Sequence, residues 1–156
     1  MSSASASTGK STVPRPKVYI DSDVLLAATA SARGASHIIR LSELTVIEGI
    51  ISEAVQIEVA RNLHTKFPEA LPVYQSFVKS AKLRVVPWPT PEQLVMYQSQ
   101  ADSKDLPHLT AACLAGCHYL VTHNTKHYKP KPNTIEVLKP GALLERIRLQ
   151  LSQLIP

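Results

Sequence analysis

Three observations predict an α/β fold, a three-layer α/β/α sandwich around a parallel sheet of about four or five strands. Short β-rich apolar runs alternate along the chain with longer segments of helical apolar spacing, the pattern of a parallel sheet covered on both faces. Acids and small polar residues fall where strands stop and helices start, as Asp21 and Ser52 do. Over 156 residues, 44% are hydrophobic and 19% charged, which suits one globular domain with a sizeable core and excludes a disordered chain.

Residues 1–16 are rich in Ser, Ala, Thr and Pro without apolar periodicity and read as a flexible tail, leaving 17–152 as a single domain. The tail holds G-K-S-T at Gly9 to Thr12. A phosphate-binding loop needs an earlier glycine, a preceding strand and a following helix, and none of these is present. K-V-Y-I-D from Lys17 reads as a strand closed by an acid, and S-D-V-L-L-A-A-T-A as the helix it opens. His37, Ile38, Leu41 and Leu44 recur at helical spacing and predict a helix over Ala35 to Leu44. A short strand follows near Ile47 to Ile51. Ser52 is an N-cap for a helix whose apolar stripe is Val55, Val59 and Leu63. Another helix is expected from Pro68 to Ala81, then a strand over Leu83 to Pro87. Pro87, Pro89 and Pro91 stiffen the next connection, and Glu92 to Gln100 reads as helical. Leu106, Leu109, Ala112 and Cys113 mark a helix ending at Gly116, followed by a buried strand over Tyr119 to Thr122. A basic loop then leads to a last strand at Thr134 to Val137 and an amphipathic helix from Pro140 to Leu151.

Composition narrows the function classes. The formal charge of +5 and basic pI make a polyanionic partner plausible, although a basic surface alone is compatible with none. Cys113 and Cys117, four apart on one helix side, read as reduced core thiols. A zinc site joining them to His118, His123 and His127 matches no ordinary ligand spacing. No segment approaches the roughly 20 apolar residues of a membrane span, and no apolar block of a signal peptide is present, so a cytoplasmic location is expected.

The acids are the chemical signal. In parallel α/β sheets, chemistry gathers beyond the carboxyl ends of the strands. Asp21 and Asn124 fall on that edge, and Glu58 and Asp105, on core-facing helices, could lean toward it. Three carboxylates together repel one another unless a cation neutralises them. Mg²⁺ suits such a site, because it prefers oxygen ligands and binds through a few carboxylates plus substrate phosphate. It could activate water and steady the leaving oxygen of a phosphodiester. Arg61, Lys104, Lys126, Lys129 and Lys131 lie nearest the acids in sequence and could hold a nucleic-acid backbone. Each residue also has a plainer reading. Asp102 could cap the helix containing Asp105, Glu58 could pair with Arg61 or His64, and Thr122 with Asn124 could shape a turn. Asp21 is hardest to explain without a partner.

V-Y-I-D-S-D-V-L-L-A around Asp21, S-E-A-V-Q-I-E-V around Glu58, D-S-K-D-L-P-H-L-T-A-A around Asp105 and Y-L-V-T-H-N around Asn124 together resemble a PIN-domain nuclease, in order, spacing and element type, from about Lys17 to Leu144. The resemblance implies a parallel sheet between helices and cleavage of RNA, mostly single-stranded, with Mg²⁺ or Mn²⁺. It implies Asp21, Glu58 and Asp105 as metal-binding acids, with Asn124 in the place of a fourth. The family often has Asp at that place, and Asn in some branches. It gives Thr122 a positioning role. Asp23 departs from the pattern, since Asn or Ser is common there, and it either strengthens the site or caps the helix. Many bacterial members are toxins held by a small antitoxin, and many form homodimers, so both are candidate partners.

Two other readings stay open at this point. D-S-D-V after a strand also resembles haloacid-dehalogenase-type phosphatases, with Asp21 as nucleophile and Asp23 as general acid. That family needs further acids downstream, where only Glu136 and Glu145 stand, and Glu58 and Asp105 would be idle. A catalytically weak PIN-like module that binds RNA or a protein partner is the other, since fold does not guarantee chemistry.

Overall fold

The computed structural model describes residues 15–31 and 34–154. Among them five strands form one sheet: β1 (Lys17–Ile20), β2 (Glu48–Ser52), β3 (Arg84–Val86), β4 (Tyr119–Val121) and β5 (Glu136–Leu138). They alternate with α1 (Ser22–Ala30), α2 (Ala35–Glu43), α3 (Glu53–Lys66), α4 (Leu71–Ser80), α5 (Pro91–Val95), α6 (Leu106–Leu114) and α7 (Pro140–Ser152). The order across the sheet is β3-β2-β1-β4-β5, and every pairing is parallel, with Lys17 opposite Glu48 and Val18 opposite Tyr119. The α/β fold expected from the sequence is therefore present, with five strands.

Burial explains the strand sequences. Val18, Tyr19, Ile20, Ile50, Ile51, Leu120 and Val121 are buried, giving continuous apolar runs rather than alternation because both sheet faces are covered. Helix α1 packs on α2, α3 and α4, and α2 also meets α7, whereas α5 packs on α6, which meets β2 and β4. One tight point is Gly49 in β2. A Cβ there would lie 2.6 Å from Leu83 Cδ2 and 2.8 Å from Ser42 Oγ, which itself donates to the Ala81 carbonyl at 2.6 Å. From central β1 the chain steps outward to β3, then crosses back to β4 on the other side of β1. The strand order reverses between β1 and β4, and a crevice opens there beyond the carboxyl ends.

Several element boundaries differ from expectation. The segment expected as a helix over Glu92 to Gln100 is helical only to Val95. Beyond it, Met96, Tyr97 and Gln98 bond three residues back, and Ser99 has φ +70°. Val95 and Met96 are exposed there, so no buried face extends the helix. The Pro68 to Ala81 helix opens as a 3₁₀ turn over Pro68–Ala70, because Pro72 can sit only in the first turn of α4. The last strand is shifted to Glu136–Leu138. Cys117 lies beyond α6 rather than on it. The helix ends in a Schellman motif, with Gly116 at φ +74°, Gly116 N–H donating to the Cys113 carbonyl and Cys117 N–H to that of Ala112. Pro16, read as tail, accepts a hydrogen bond from Glu48 N–H at 2.8 Å, so ordered backbone reaches just upstream of β1. The Gly9 to Thr12 segment and the rest of the tail to Pro14 lie outside the described residues.

Candidate active site

Asp21 follows β1 directly, and its backbone N–H donates to the Val121 carbonyl at 3.1 Å, which ties it to the end of β4. Its side chain caps α1, with Oδ1 accepting from Ser22 N–H at 2.8 Å. Oδ2 accepts from the Thr122 hydroxyl at 2.8 Å and the Tyr128 hydroxyl at 3.4 Å. Three donors thus fix one carboxylate that is only 7% exposed. Thr122 also accepts from Asn124 N–H at 3.1 Å, so one buried hydroxyl orients both the acid and the loop after β4.

Asp23 lies on the first turn of α1 and is joined to that same loop. Its Oδ2 accepts from His123 N–H at 3.2 Å and from Asn124 Nδ2 at 3.1 Å. Its Oδ1 is buried without a partner. Burial, reinforced by the neighbouring Asp21 charge, holds its carboxyl above the ordinary carboxylate range. Asn124 is therefore more than a turn residue, because its amide binds a carboxylate 101 positions away.

Asp21, Asp23, Glu58, Asp105 and Asn124 line one cavity of about 630 Å³, with Arg61 and Lys104 also on its wall. The sequence therefore placed all four residues expected to carry the chemistry around a common space. Thr122 sits behind Asp21, and Lys126 does not line the cavity. Lys129 and Lys131 belong to a loop tied back through their N–H groups to Gln100, at 2.6 and 3.1 Å. Glu58 is exposed on α3, and no ion pair among the described residues joins it to Arg61 or His64.

Asp102 and Asp105 are arranged otherwise than expected. The residue at the N-cap of α6 is Asp105, without a side-chain cap bond, and Asp102 shapes the preceding turn by accepting from Asp105 N–H and Leu106 N–H through its carbonyl. Both side chains are left for other partners. Asp105 Oδ2 lies 3.0 Å from His127 Nδ1. Ligand atoms of Asp102, Asp105 and His127 lie within 4.8 Å of one another, the one such trio among the described residues. Asp21, Glu58 and Asp105 share the cavity without closing to that spacing.

His127 entered the sequence reading only in a zinc set whose spacing fits no template, and among the described residues it clusters instead with Asp102 and Asp105. Cys113 and Cys117 are free thiols whose pKa values burial raises to about 11 and about 12, and neither belongs to the metal-ligating cluster found among the described residues. What positions His127 is an antiparallel bridge between Ala101 and Tyr128, flanked by Asp102 N–H donating to the His127 carbonyl at 2.8 Å. The sequence also gave no sign of His108, Tyr128 or Trp88. His108 and Trp88 line the cavity, and Tyr128 bonds Asp21.

The donor set is hard, with carboxylate and amide oxygens around one cavity and an unpartnered buried oxygen on Asp23, which fits an oxygen-preferring divalent cation. The haloacid-dehalogenase reading would leave Glu58 and Asp105 without a role, yet both stand on the wall beside Asp21 and Asp23.

Comparisons with known proteins agree with the fold. A family model described as PIN domain matches residues 17–126. A toxin-antitoxin complex from Klebsiella pneumoniae is similar in structure, with a TM-score of 0.58 and 19% identity over 79% of this chain and 97% of that one. VapBC2 from Rickettsia felis, bound to a DNA fragment from its promoter, is also similar, with a TM-score of 0.56 and 13% identity over 78% and 96% of the two chains. No curated protein matches significantly.

Proposed function

The chain belongs to the PIN-domain family of nucleases, and on that premise we propose that it is a metal-dependent endoribonuclease, cytoplasmic, acting on single-stranded RNA. The observation that supports this best is the single cavity at the β1–β4 switch point, where acids from three segments and Asn124 from a fourth meet two basic residues, Arg61 and Lys104. In this reading Asp21, Glu58 and Asp105 hold Mg²⁺ or Mn²⁺, with Asn124 and Asp23 completing the oxygen wall. The bound cation would polarise the phosphodiester and lower the pKa of attacking water.

The remaining work falls to the protein's own groups. Thr122 and Tyr128 hold the Asp21 carboxylate in one orientation. His127 holds that of Asp105, which frees Asp105 from rotamer exchange. Asp102 stands behind it as a supporting acid. Arg61 and Lys104 would take the RNA phosphates, with Lys126 further out on the path. The structural likeness to a toxin-antitoxin complex supports a small antitoxin as the protein partner, and a homodimer is the assembly that the family resemblance implies.

Purified full chain incubated with single-stranded and structured RNAs in Mg²⁺, Mn²⁺ or EDTA tests the reading, alongside Asp21→Asn and Asp105→Asn. Metal-dependent cleavage lost in both variants is the expected result. Absence of cleavage under every metal, with RNA binding intact, would replace it with a binding module.

A further inference from the structure

Part of the lining of the acidic cavity is apolar, and a ribonuclease site does not need it for holding metal or phosphate. It is made by Trp88, with Ala54 and Ile57 of α3. Trp88 is the chain's one tryptophan, 38% exposed, and Ile57 is 57% exposed. Large apolar groups left uncovered beside nine polar side chains call for an occupant with an apolar face.

The indole is held unusually firmly for an exposed side chain. It lies between Pro87 and Pro89, whose rings fix the backbone on either side and restrict Trp88 itself to extended conformations. Strand β3 anchors the loop at one end. At the other, Thr90 and Gln93 form a capping box that starts α5, with bonds of 3.0 and 3.2 Å. The ring packs edge-on against His108, with centroids 5.2 Å apart and planes at 78°. His108 is buried, and its Nδ1 lies 2.9 Å from the Tyr19 hydroxyl, which in turn donates to Ser52 Oγ at 2.9 Å. A chain of buried contacts from β1 and β2 therefore sets the orientation of a surface aromatic.

We infer that Trp88 is a stacking platform for an unpaired base of the RNA, next to the phosphate handled by the acids. A planar base offers the apolar face this wall lacks, and Arg61, one turn beyond Ile57 on α3, lies where the same strand's backbone would be neutralised. Base stacking on an aromatic ring tolerates sequence but requires the base to leave a duplex. Because the ring is fixed before binding, little side-chain entropy is lost when the base arrives. Trp88 thus selects for single strands at the site itself. The inference rests on the ribonuclease reading for the identity of the neighbouring phosphate.

Excited at the red edge, beyond the absorption of its five tyrosines, the full chain emits from Trp88 alone, so the test can be read without turnover. In EDTA, titration with a single-stranded ribo-oligonucleotide should quench the emission to saturation, whereas a duplex or an abasic strand of equal length should not. Trp88→Leu should weaken single-strand binding by about 5- to 150-fold, measured by anisotropy of a labelled oligonucleotide, and Trp88→Phe should retain most of it. Circular dichroism of the variants separates misfolding from lost stacking, and the wild-type quenching arm stands without them. Binding without quenching, equal quenching by the abasic strand, no binding by any oligonucleotide, or unchanged affinity in folded Trp88→Leu would each overturn the inference. Metal-dependent cleavage accompanied by silent fluorescence would remove Trp88 and leave the nuclease standing. Quenching by single strands with no cleavage would do the reverse.

Discussion

At the scale of single residues, the cavity depends on a few buried hydroxyls and on how charge is divided between α1 and the loop after β4. Thr122→Val keeps the volume but removes the donor to Asp21 Oδ2 and the acceptor for Asn124 N–H. Leaving these groups buried and unpaired is expected to cost about 1–3 kcal/mol in chemical denaturation, with a fall in any cleavage rate. Thr122→Ser should restore most of both, and a valine variant as stable and active as wild type would refute the positioning role. Asp23 behaves in the opposite sense. Its raised pKa means that the native state holds the proton more tightly than the unfolded chain, whose ordinary value is 3.8. Stability is therefore lost as pH rises from that value through the raised native one, and the loss is complete above it. At pH 7 in EDTA, Asp23→Asn should melt higher than wild type, by about 2–4 °C for each kcal/mol recovered. Mg²⁺ should narrow the gap, as should a pH below the carboxylate range. A lower melting point for the variant in EDTA would sink the idea that Asp23 is under charge strain.

Among the elements, the sequence was legible wherever a local rule set the boundary. Ser52 accepts from Val55 N–H as an N-cap should, Pro140 opens α7, and the uninterrupted apolar runs of β1 and β4 mark doubly covered strands. Acids at strand ends located the cavity for the same reason. It was illegible where tertiary contact decided. The α5 segment stops at Val95 because nothing covers its next apolar residues, and His127 reaches Asp105 only through the bridge between Ala101 and Tyr128. Trp88 owes its orientation to His108, and no periodicity connects the two. Gly49 is a further case, since its need for a missing side chain comes from Leu83 and Ser42 rather than from β2. Gly49→Ala should destabilise by about 1–3 kcal/mol through overpacking. Adding Leu83→Val should recover part of that loss, giving a non-additive double-mutant cycle. Strict additivity in thermal or urea unfolding would show that the contact is not the cause.

For the molecule as a whole, a net charge of +5 is combined with a cavity lined with acids. RNA binding should weaken steeply with salt, because neutralised phosphates release counterions. Arg61→Ala and Lys104→Ala should each reduce the slope of log affinity against log salt by about 0.7 for a single strand. Slopes equal to wild type would place the backbone path elsewhere. Among the described residues, no helix is long and apolar enough to cross a membrane. The sheet order has a consequence during biosynthesis. Asp21 emerges early, but its hydroxyl partners are Thr122 and Tyr128, and Asp105 waits for His127. Such distant pairings form late, since loop closure must precede their reward. A nascent chain not yet made through Tyr128 therefore carries Asp21 and Asp105 without their full set of holders. The acids gain their fixed geometry only after the loop that follows β4 has been made and has closed back onto β1 and α6.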